Sequence, residues 1–533
     1  MKRRNFLAAS ALPLAGCGQA SSISGGFVGT SPERGHQLRG AQPTLPAPSS
    51  THRTRVLIAG GGVAGLAAAR ALRLRGIDDF ALLELEDSTG GNSRRGQVGG
   101  IACPLGAHYL PVPGEGATAV QDLLEELGLR QQVAGRWVYD ERHLCHSPQE
   151  RLFRNGQWQE GLLPVQDVDA ATLTDYQRFA RLVQDASRSA PFTIPVSKSA
   201  FPHAHYGLDA ITFEAWLNQQ QLGSPELRWY LDYCCRDDYG AGLASVSAWA
   251  GLHYFASRHG FYAPGGEAAE REAGVLTWPE GNGWLTQRLA APLRERLHTG
   301  RVVLRVAASR HGVEVDARDA ATGVVERWQA AHCIVALPLF VAARVVENPP
   351  PALLQAAAAL RYAPWLVANL HIGAALHDRP GAAPSWDNVV YHPGPNAAFA
   401  GLGYVDARHQ SLQSVPGETV LTYYRAFGID PLQRQQLVSQ PWSHWRDAVL
   451  AELSLPHPDL QEKVRRIDVT RYGHAMAVPV PGTRANAALQ ALAQPLPAAW
   501  ARLQFAHSDL SGYSVFEEAF SHGHGRGMAR NFA

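Results

Sequence analysis

The sequence lacks an excess of either charge. It holds 48 Lys plus Arg against 47 Asp plus Glu among 533 residues, so the formal net charge is only +1. Binding to nucleic acid generally depends on a basic excess, and we therefore expect no nucleic-acid partner. The hydrophobic share of 46% is too high for a disordered chain. A chain of this length is too long for one simple hydrophobic core and suits two interleaved domains.

Long apolar runs are also missing, and cysteine is scarce. Beyond the first residues, no stretch approaches the roughly 20 apolar residues that span a bilayer. No two of the 6 cysteines have the spacing of a metal site, and we predict none. Cys333 lies in an apolar run, and Cys234 and Cys235 lie in a predicted helix, so free buried thiols are the favoured interpretation. A disulfide and a redox-active Cys234–Cys235 pair are the alternatives.

An adjacent arginine pair lies near the start of the sequence. Arg3 and Arg4 precede a short apolar stretch, an order that resembles a twin-arginine export signal. The run ending at Cys17 (Leu-Ala-Gly-Cys) resembles a bacterial lipobox, which implies lipidation of Cys17. We therefore predict a signal over residues 1–17 and an exported, periplasmic protein anchored to a membrane by lipid. Residues 18–52, rich in Gly, Ser and Pro, are predicted to be a flexible tether outside the fold. A cleaved signal with an incidental Cys17 and an unprocessed cytoplasmic tail are the alternatives.

A glycine-rich turn between a predicted strand and a predicted helix carries the clearest chemical signal. Residues 55–59 form a short β-rich apolar run, and residues 66–72 have the small side chains of a closely packed helix. Between them, Gly60 permits a tight turn, Gly62 lets the backbone approach a pyrophosphate, and Gly65 lets the helix pack on the strand. The residues predicted to hold this end of a dinucleotide are Gly60, Gly62, Val63, Ala64 and Gly65.

An acidic residue follows the second predicted strand, Phe80–Leu83. Glu84 lies about 20 residues beyond the glycines, where this fold places a carboxylate on a ribose diol. Such an acid disfavours NADP, whose ribose carries a phosphate. A second glycine-rich run at residues 523–527 has no strand before it. We therefore expect no separate NAD domain.

The segment after Glu84 resembles the flavin amine oxidase superfamily, in which a Gly-Gly pair lies against the FAD pyrophosphate. The further ordered matches are at residues 106–109, 278–285, 302–304, 333–338, 505–509 and 517–519. The resemblance implies an α/β fold in which a Rossmann-type FAD-binding domain is interleaved with an α+β substrate domain. It assigns residues 53–150, 270–345 and 465–533 to the FAD-binding domain. Residues 151–269 and 346–464 then form the substrate domain.

The same resemblance assigns further contacts to FAD. Those implied for the pyrophosphate, the flavin ring, the adenine and the ribityl–phosphate region are Gly90, Gly91, Asn92, Gly106, Ala107, His108, Tyr109, Val303 and Asp509. No cysteine lies in the region just before the last motif, near residues 471–476, so FAD is expected to bind non-covalently. Two positions depart from the family pattern. Asn92 stands where Arg is frequent, and Glu518 stands where Gly is frequent.

The substrate segments carry local patterns of both helix and strand. Residues 151–158 alternate around Asn-Gly, which predicts a hairpin. Helical spacing occurs near residues 173–183 and 445–453. Strands are predicted at residues 367–372 and 419–424.

Many amine oxidases of the superfamily place a lysine near flavin N5, in the strand that residues 364–370 resemble, and this strand has none. The resemblance implies hydride transfer to flavin from a small-molecule amine or lipophilic substrate, by oxidation or desaturation, with oxygen or a quinone as electron acceptor. Tyr472 and His474 are the catalytic candidates. A catalytically silent, membrane-tethered FAD-binding partner protein is the alternative, favoured by the missing lysine and by Glu518.

Overall fold

The computed structural model describes residues 23–38, 46–265, 274–394, 400–410 and 417–532. The predicted signal, with Cys17, lies outside the described residues. Within those ranges no helix combines the length and the apolar character needed to cross a membrane.

The described chain alternates helices and strands. The helices are α1 Pro32–His36, α2 Val63–Leu74, α3 Thr118–Glu126, α4 Ala170–Ser189, α5 His203–Asp209, α6 Phe213–Gln219, α7 Pro225–Tyr239, α8 Ala248–Tyr254, α9 Gly283–Ala290, α10 Leu339–Val345, α11 Pro351–Ala359, α12 Pro431–Ser439, α13 Trp442–Leu453, α14 Leu460–Lys463, α15 Ala487–Ala493 and α16 Phe516–Gly527. The strands are β1 Ser24–Phe27, β2 Ser50–Ala59, β3 Phe80–Leu83, β4 Arg95–Val98, β5 Ile101–Pro104, β6 Tyr109–Pro111, β7 Arg130–Val133, β8 Arg136–Tyr139, β9 Glu150–Arg154, β10 Gln157–Glu160, β11 Val275–Thr277, β12 Leu297–His298, β13 Arg301–Ala308, β14 Val313–Asp319, β15 Val325–Val335, β16 Arg361–Ile372, β17 Asp387–Val390, β18 Tyr404–Asp406, β19 Thr419–Ala426, β20 Val464–Val478 and β21 Leu503–Phe505.

The first large sheet confirms the Rossmann-type prediction. Its strand order is β12-β3-β2-β15-β14-β13, with β21 added beside β15, and β3, β2, β15 and β21 run parallel. The last four residues of β2 are buried on both faces: Val56 and Ile58 pack in the cluster that holds α2, whereas Leu57 and Ala59 pack in the cluster that holds α10 and α11. Helices therefore cover both sides, as a parallel sheet requires.

Helix α16 packs against α2, and this contact explains the second glycine-rich run. A Cβ at Gly523 would lie 1.9 Å from the Ala64 carbonyl oxygen, and one at Gly527 would lie 2.5 Å from the Ala68 carbonyl oxygen. The glycines at 523 and 527 thus let two helices approach closely. They form no second dinucleotide turn.

The second sheet belongs to the substrate domain. It has eight strands in the order β1-β20-β16-β19-β18-β17-β9-β10, and helices α4 to α8 share a buried cluster with its inner residues. The predicted hairpin is confirmed as β9–β10. Its turn residues Asn155 and Gly156 have φ of 52° and 79°, the left-handed pair that a two-residue turn needs.

Two predicted boundaries are wrong. Residues Ser24–Phe27 were expected in a flexible tether, but they form β1 and pair in parallel with β20 at the sheet edge. A strand at an edge is held by backbone hydrogen bonds, so a Gly- and Ser-rich sequence gives little sign of it. Strand β20 in turn was assigned to the FAD-binding domain from residue 465, yet it pairs with β16 inside the substrate sheet. The chain returns to the FAD-binding side only after Val478.

The cysteines confirm the interpretation as free thiols. Cys103, Cys234, Cys235 and Cys333 are buried and Cys145 is partly buried, and none of these five forms a disulfide.

Candidate active site

The glycine turn leaves space where a pyrophosphate would pass. Gly60 has a φ of 108°, and a Cβ there would lie 2.4 Å from the Ala336 carbonyl oxygen. A Cβ at Gly65 would lie 1.9 Å from the Gly60 carbonyl oxygen. Gly62 differs, because the nearest atom to its added Cβ is the Gly91 Cα at 4.0 Å. No side chain caps the start of α2 at Val63, so its first N–H groups are available for phosphate oxygens.

Glu84 lies at the end of β3 beside this turn. Its side chain is buried, and its two carboxylate oxygens accept hydrogen bonds from the backbone N–H groups of Gly61 and Glu86, both at 2.8 Å. Burial raises the pKa of Glu84, and these N–H donors partly offset the effect. Each oxygen of an ionised carboxylate can accept a second hydrogen bond, so ribose hydroxyls fit here. The backbone N–H of Arg301, at the start of the strand that holds Val303, donates to the Glu84 carbonyl oxygen at 2.7 Å.

The predicted Gly-Gly pair lies opposite the turn. Gly90 and Gly91 have φ of 118° and 57°, and Gly90 forms an isolated bridge with Gly62. Asn92 continues from this pair into the cavity wall, where its Nδ2 donates to the Ala475 carbonyl oxygen at 2.6 Å. The bare backbones of the turn and of the Gly-Gly pair therefore face each other. They suit the passage of a dinucleotide.

A cavity opens beyond Asn92, between the FAD-binding side and the substrate sheet. The predicted flavin segment Gly106–Tyr109 forms one part of its wall, and Trp365, Val367, Tyr424 and Tyr472 of the second sheet form another. The structure thus brings Asn92, residues 106–109 and Tyr472 together in the wall of one cavity. The cavity-lining residues include no lysine, and their only cation is Arg258.

Aromatic rings surround His108. Its ring stacks on Tyr424 with centroids 4.3 Å apart, and the Tyr109 and Trp386 rings lie 4.9 and 5.4 Å away. Burial lowers the pKa of His108 to about 3, so the imidazole is neutral. Tyr472 donates its hydroxyl to the Leu105 carbonyl oxygen at 2.8 Å. This part of the wall is uncharged and rich in π-electrons.

An acidic side of the cavity was missed by the sequence analysis. Asp237 and Asp238 come from the last turn of α7, and Arg258 and Glu517 complete this side. The Arg258 guanidinium lies 2.5 Å from Asp238 and 3.5 Å from Glu517. The hydroxyl of Tyr109 donates to the Asp237 carboxylate at 3.4 Å. The available signal was an Asp-Asp pair in a helix otherwise rich in apolar and aromatic residues.

His474 was predicted beside the substrate and is not in the cavity wall. Its ring lies 4.6 Å from the Phe340 ring and 6.0 Å from the Tyr362 ring. The pairing of β16 with β20 shifts register between Ala363 and Trp365. A register shift of this kind breaks the alternation of side chains, so residues two apart no longer share surroundings.

Asp509 was predicted to contact the ribityl–phosphate region; its Oδ2 binds protein groups, whereas its buried Oδ1 accepts no hydrogen bond from the described residues. Oδ2 accepts hydrogen bonds from the Leu339 N–H at 2.9 Å and from the Tyr362 hydroxyl at 2.6 Å. Burial raises its pKa, but nearby His507 and these hydrogen bonds outweigh that effect, so the net pKa is lowered. Asp509 therefore ties the start of α10 to β16. It does not line the cavity.

The family model described as flavin containing amine oxidoreductase matches residues 63–525. The chain belongs to the flavin-containing amine oxidoreductase family. This flavoprotein is accordingly an FAD-dependent oxidoreductase with FAD as its cofactor.

Individual relatives resemble the chain either over a short part of its length or over most of its length at low sequence identity. An L-amino acid dehydrogenase of Synechocystis sp. is 28% identical over 175 residues, which are 33% of this chain and 33% of that protein. The flavoprotein therefore matches only about a third of the length of this curated relative. Putrescine oxidase bound to putrescine has a TM-score of 0.64 at 18% identity, over 90% of this chain and 98% of that one. A fatty acid isomerase from P. acnes has a TM-score of 0.60 at 14% identity, over 89% and 97%.

Proposed function

We propose that this flavoprotein oxidises a small-molecule amine by hydride transfer to FAD. The observation that carries the proposal is the pairing, in one cavity, of an aromatic wall at His108 and Tyr424 with the carboxylate of Asp237. Aromatic faces and carboxylates both attract an ammonium group. A purely lipophilic substrate would leave that carboxylate buried against apolar surface, at a cost in free energy.

The chain's own residues have distinct tasks in this proposal. The glycine turn, Glu84 and the Gly90–Gly91 pair would hold the FAD pyrophosphate and ribose, and residues 106–109 would pass the flavin ring. FAD, when bound, would supply the flavin ring that accepts a hydride, which is one proton together with two electrons. The side chains of the second sheet then position the substrate carbon and exclude water from it.

The names of the relatives agree with a nitrogen-containing substrate in two of the three cases. L-amino acid dehydrogenase and putrescine oxidase act on amines by name, and the P. acnes protein acts on a fatty acid. The charge at Asp237 favours the first class for this chain. Glu518, which suggested a silent protein, accepts hydrogen bonds from Ser511 and from the Val196 backbone and is not in the cavity wall, so it obstructs nothing there.

The experiment is anaerobic reduction of the purified holoprotein. A panel of amines, polyamines, amino acids and polyenes is added, and flavin absorbance near 450 nm is followed. We expect bleaching by at least one cationic amine and none by polyenes. Bleaching by polyenes alone would favour a lipophilic substrate, and no bleaching by any compound would favour the silent partner protein.

We also propose a quinone as the electron acceptor in preference to oxygen. Val367 faces the cavity from the strand in which the family resemblance implies a lysine that assists reaction at flavin N5. The reduced protein is mixed with air-saturated buffer or with a soluble quinone analogue. Reoxidation at least tenfold faster by the quinone is expected, and the reverse order would contradict the proposal.

Export and lipid anchoring remain proposals that rest on the Arg3-Arg4 pair and on Cys17. Because β1 begins at Ser24, the seven residues from Cys17 could reach at most about 25 Å even when fully extended. The folded body would then lie close to a membrane surface. Fractionation of cells expressing the wild type, Cys17→Ala and Arg3→Lys/Arg4→Lys tests this. Membrane retention lost in the first variant and cytoplasmic accumulation of the second are expected; unchanged distribution in both would contradict it.

A further inference from the structure

Asp237 differs from the other acidic groups of the cavity in how its charge is balanced. Asp238 and Glu517 share the Arg258 guanidinium, at 2.5 and 3.5 Å. Asp237 has no such cation in the described structure, and its hydrogen bond comes from the neutral hydroxyl of Tyr109 at 3.4 Å. It keeps some exposure because its side chain faces the cavity. It is therefore the cavity's carboxylate without an ion-pair partner.

The groups that face Asp237 from neighbouring elements do not supply that partner. On its own helix α7, Arg236 is paired with Asp232 at 3.0 Å. Strand β17 contributes Asp387, whose pKa burial raises well above its ordinary value, with further raising by Asp237 and Glu150. Burial, aided by Asp238, raises the pKa of Asp237 to about 7 despite the opposing influence of Tyr109, Arg258 and Arg236. A carboxyl group with that pKa can hold or release a proton near neutral pH.

Oxidation of an amine imposes a proton requirement. Amines of ordinary basicity are protonated at neutral pH, with a pKa of about 10. The nitrogen lone pair must be free when the adjacent C–H bond breaks, because it stabilises the positive charge left on carbon. The site must therefore bind an ammonium and remove a proton from it.

We propose that Asp237 is the catalytic residue that binds the substrate ammonium and accepts its proton. The inference rests on the proposed amine substrate. In this step an N–H bond of the ammonium breaks and an O–H bond forms on the Asp237 carboxylate. The lone pair freed on nitrogen would then support loss of hydride from the α-carbon to bound FAD, the oxidant, which would convert the amine to an iminium. The proton on Asp237 returns to solvent after the product leaves.

Ligand binding tests the first half without turnover. The probe is tert-butylamine, whose α-carbon bears no hydrogen and cannot lose hydride, with tert-butanol as its neutral isostere; binding is read from the flavin spectrum of the holoprotein. In the wild type, affinity for the ammonium should rise as pH increases through about 7, because only ionised Asp237 attracts a cation. Asp237→Asn should lower that affinity about 10- to 100-fold at pH 8 and abolish the rise, with tert-butanol binding unchanged.

Reduction kinetics test the second half. Asp237→Asn should reduce the anaerobic rate of flavin reduction at pH 7.5 at least 100-fold. The rate of this variant should then rise about tenfold per pH unit up to about pH 10, because the neutral amine must come from solution. Asp237→Glu should restore part of the rate at pH 7.5. Asp185→Asn, which removes an exposed carboxylate on α4, is the matched control and should leave the profile unchanged.

Several results would overturn the inference. If the affinity of the wild type for tert-butylammonium is the same from pH 6 to pH 8, the inference is overturned, even if Asp237→Asn fails to fold. A rate loss in Asp237→Asn that is equal at every pH would also do so, because it indicates a structural role. Failure of every amine to bleach the flavin is a different result, since it removes the proposed function itself.

Discussion

Ser31 donates two hydrogen bonds to the carboxylate of Glu86, one from its backbone N–H at 2.9 Å and one from its hydroxyl at 2.7 Å. The Glu86 N–H in turn donates to Glu84, the predicted ribose ligand. Arg34 adds an ion pair to Asp87 at 2.8 Å. Strand β1, which lies just before Ser31 in the chain, belongs to the substrate sheet. The segment from β1 to Arg34 therefore joins the substrate sheet to the loop after β3 that holds Glu84 and Glu86. It is part of both domains.

Loss of the Ser31 hydroxyl should loosen this loop. We expect Ser31→Ala to lower the free energy of unfolding of the holoprotein by about 1.5 kcal/mol, the lower end of the range for a hydrogen bond to a charged group, because this bond is only part-buried. Release of FAD on mild heating should begin at a lower temperature. Ser24→Ala, whose exposed hydroxyl bonds the Arg465 carbonyl oxygen at 3.2 Å, is the control. Equal FAD release from both variants would contradict a specific role for Ser31.

Gly62 and Gly65 should respond differently to alanine. Gly62 has a φ of −70°, and its added Cβ meets nothing closer than 4.0 Å, so Gly62→Ala should leave the apoprotein within about 0.5 kcal/mol of wild-type stability. The methyl group would occupy the pyrophosphate path and weaken FAD binding about 10- to 100-fold. Gly65→Ala should prevent stable folding because of the 1.9 Å contact with the Gly60 carbonyl oxygen. FAD titration of apoprotein, with circular dichroism, measures both; tight FAD binding by Gly62→Ala would contradict the assigned path.

Glu518 should make stability depend on pH. Burial raises its pKa from 4.5 to about 7. The folded state therefore holds this proton more tightly than the unfolded state, so the contribution is complete below about pH 4.5 and is lost as pH rises through 7. The loss amounts to about 3 kcal/mol at most.

Glu518→Gln tests this dependence, because an amide cannot ionise. Its oxygen can still accept from the Val196 N–H, and its NH₂ can donate to the Ser511 hydroxyl. Urea unfolding at pH 5 and pH 8 should show a smaller decline in the variant. Asp237 makes the same contribution to the pH dependence of the free energy of unfolding in both proteins, so this contribution cancels in the comparison. An identical decline would indicate that Glu518 is ionised when buried.

Substitutions at His474 and Tyr424 should distinguish a residue with a structural contact from one that contacts the substrate. His474 lies with Phe340 outside the cavity wall, so His474→Ala should leave the amine KM within about twofold. Tyr424 lines the cavity and stacks on His108, so Tyr424→Leu should raise KM about tenfold, the value of one lost cation–π or stacking contact. Steady-state kinetics with an amine that bleaches the flavin measures both. A larger change for His474→Ala would restore it as a catalytic candidate.

The predictable part of the site is the part made of contiguous backbone. The glycine turn, the strands on either side of it and Glu84 follow one another along the chain, so their spacing alone identifies them. The segment at residues 106–109 is likewise contiguous, and it lines the cavity. By contrast, the placement of Tyr472 and His474 depended on a register shift between β16 and β20, which no local pattern records.

The sequence by itself determined the parallel FAD-binding sheet, the hairpin at Asn155–Gly156 and the family, because each depends on local backbone conformation or short-range order. Only the tertiary structure decided that β1 adds to the substrate sheet, that Oδ2 of Asp509 ties α10 to β16 and that Asp237 faces the cavity without a cation. These outcomes depend on contacts between segments more than a hundred residues apart, such as β1 with β20. Side-chain partners of that kind are fixed by packing in three dimensions.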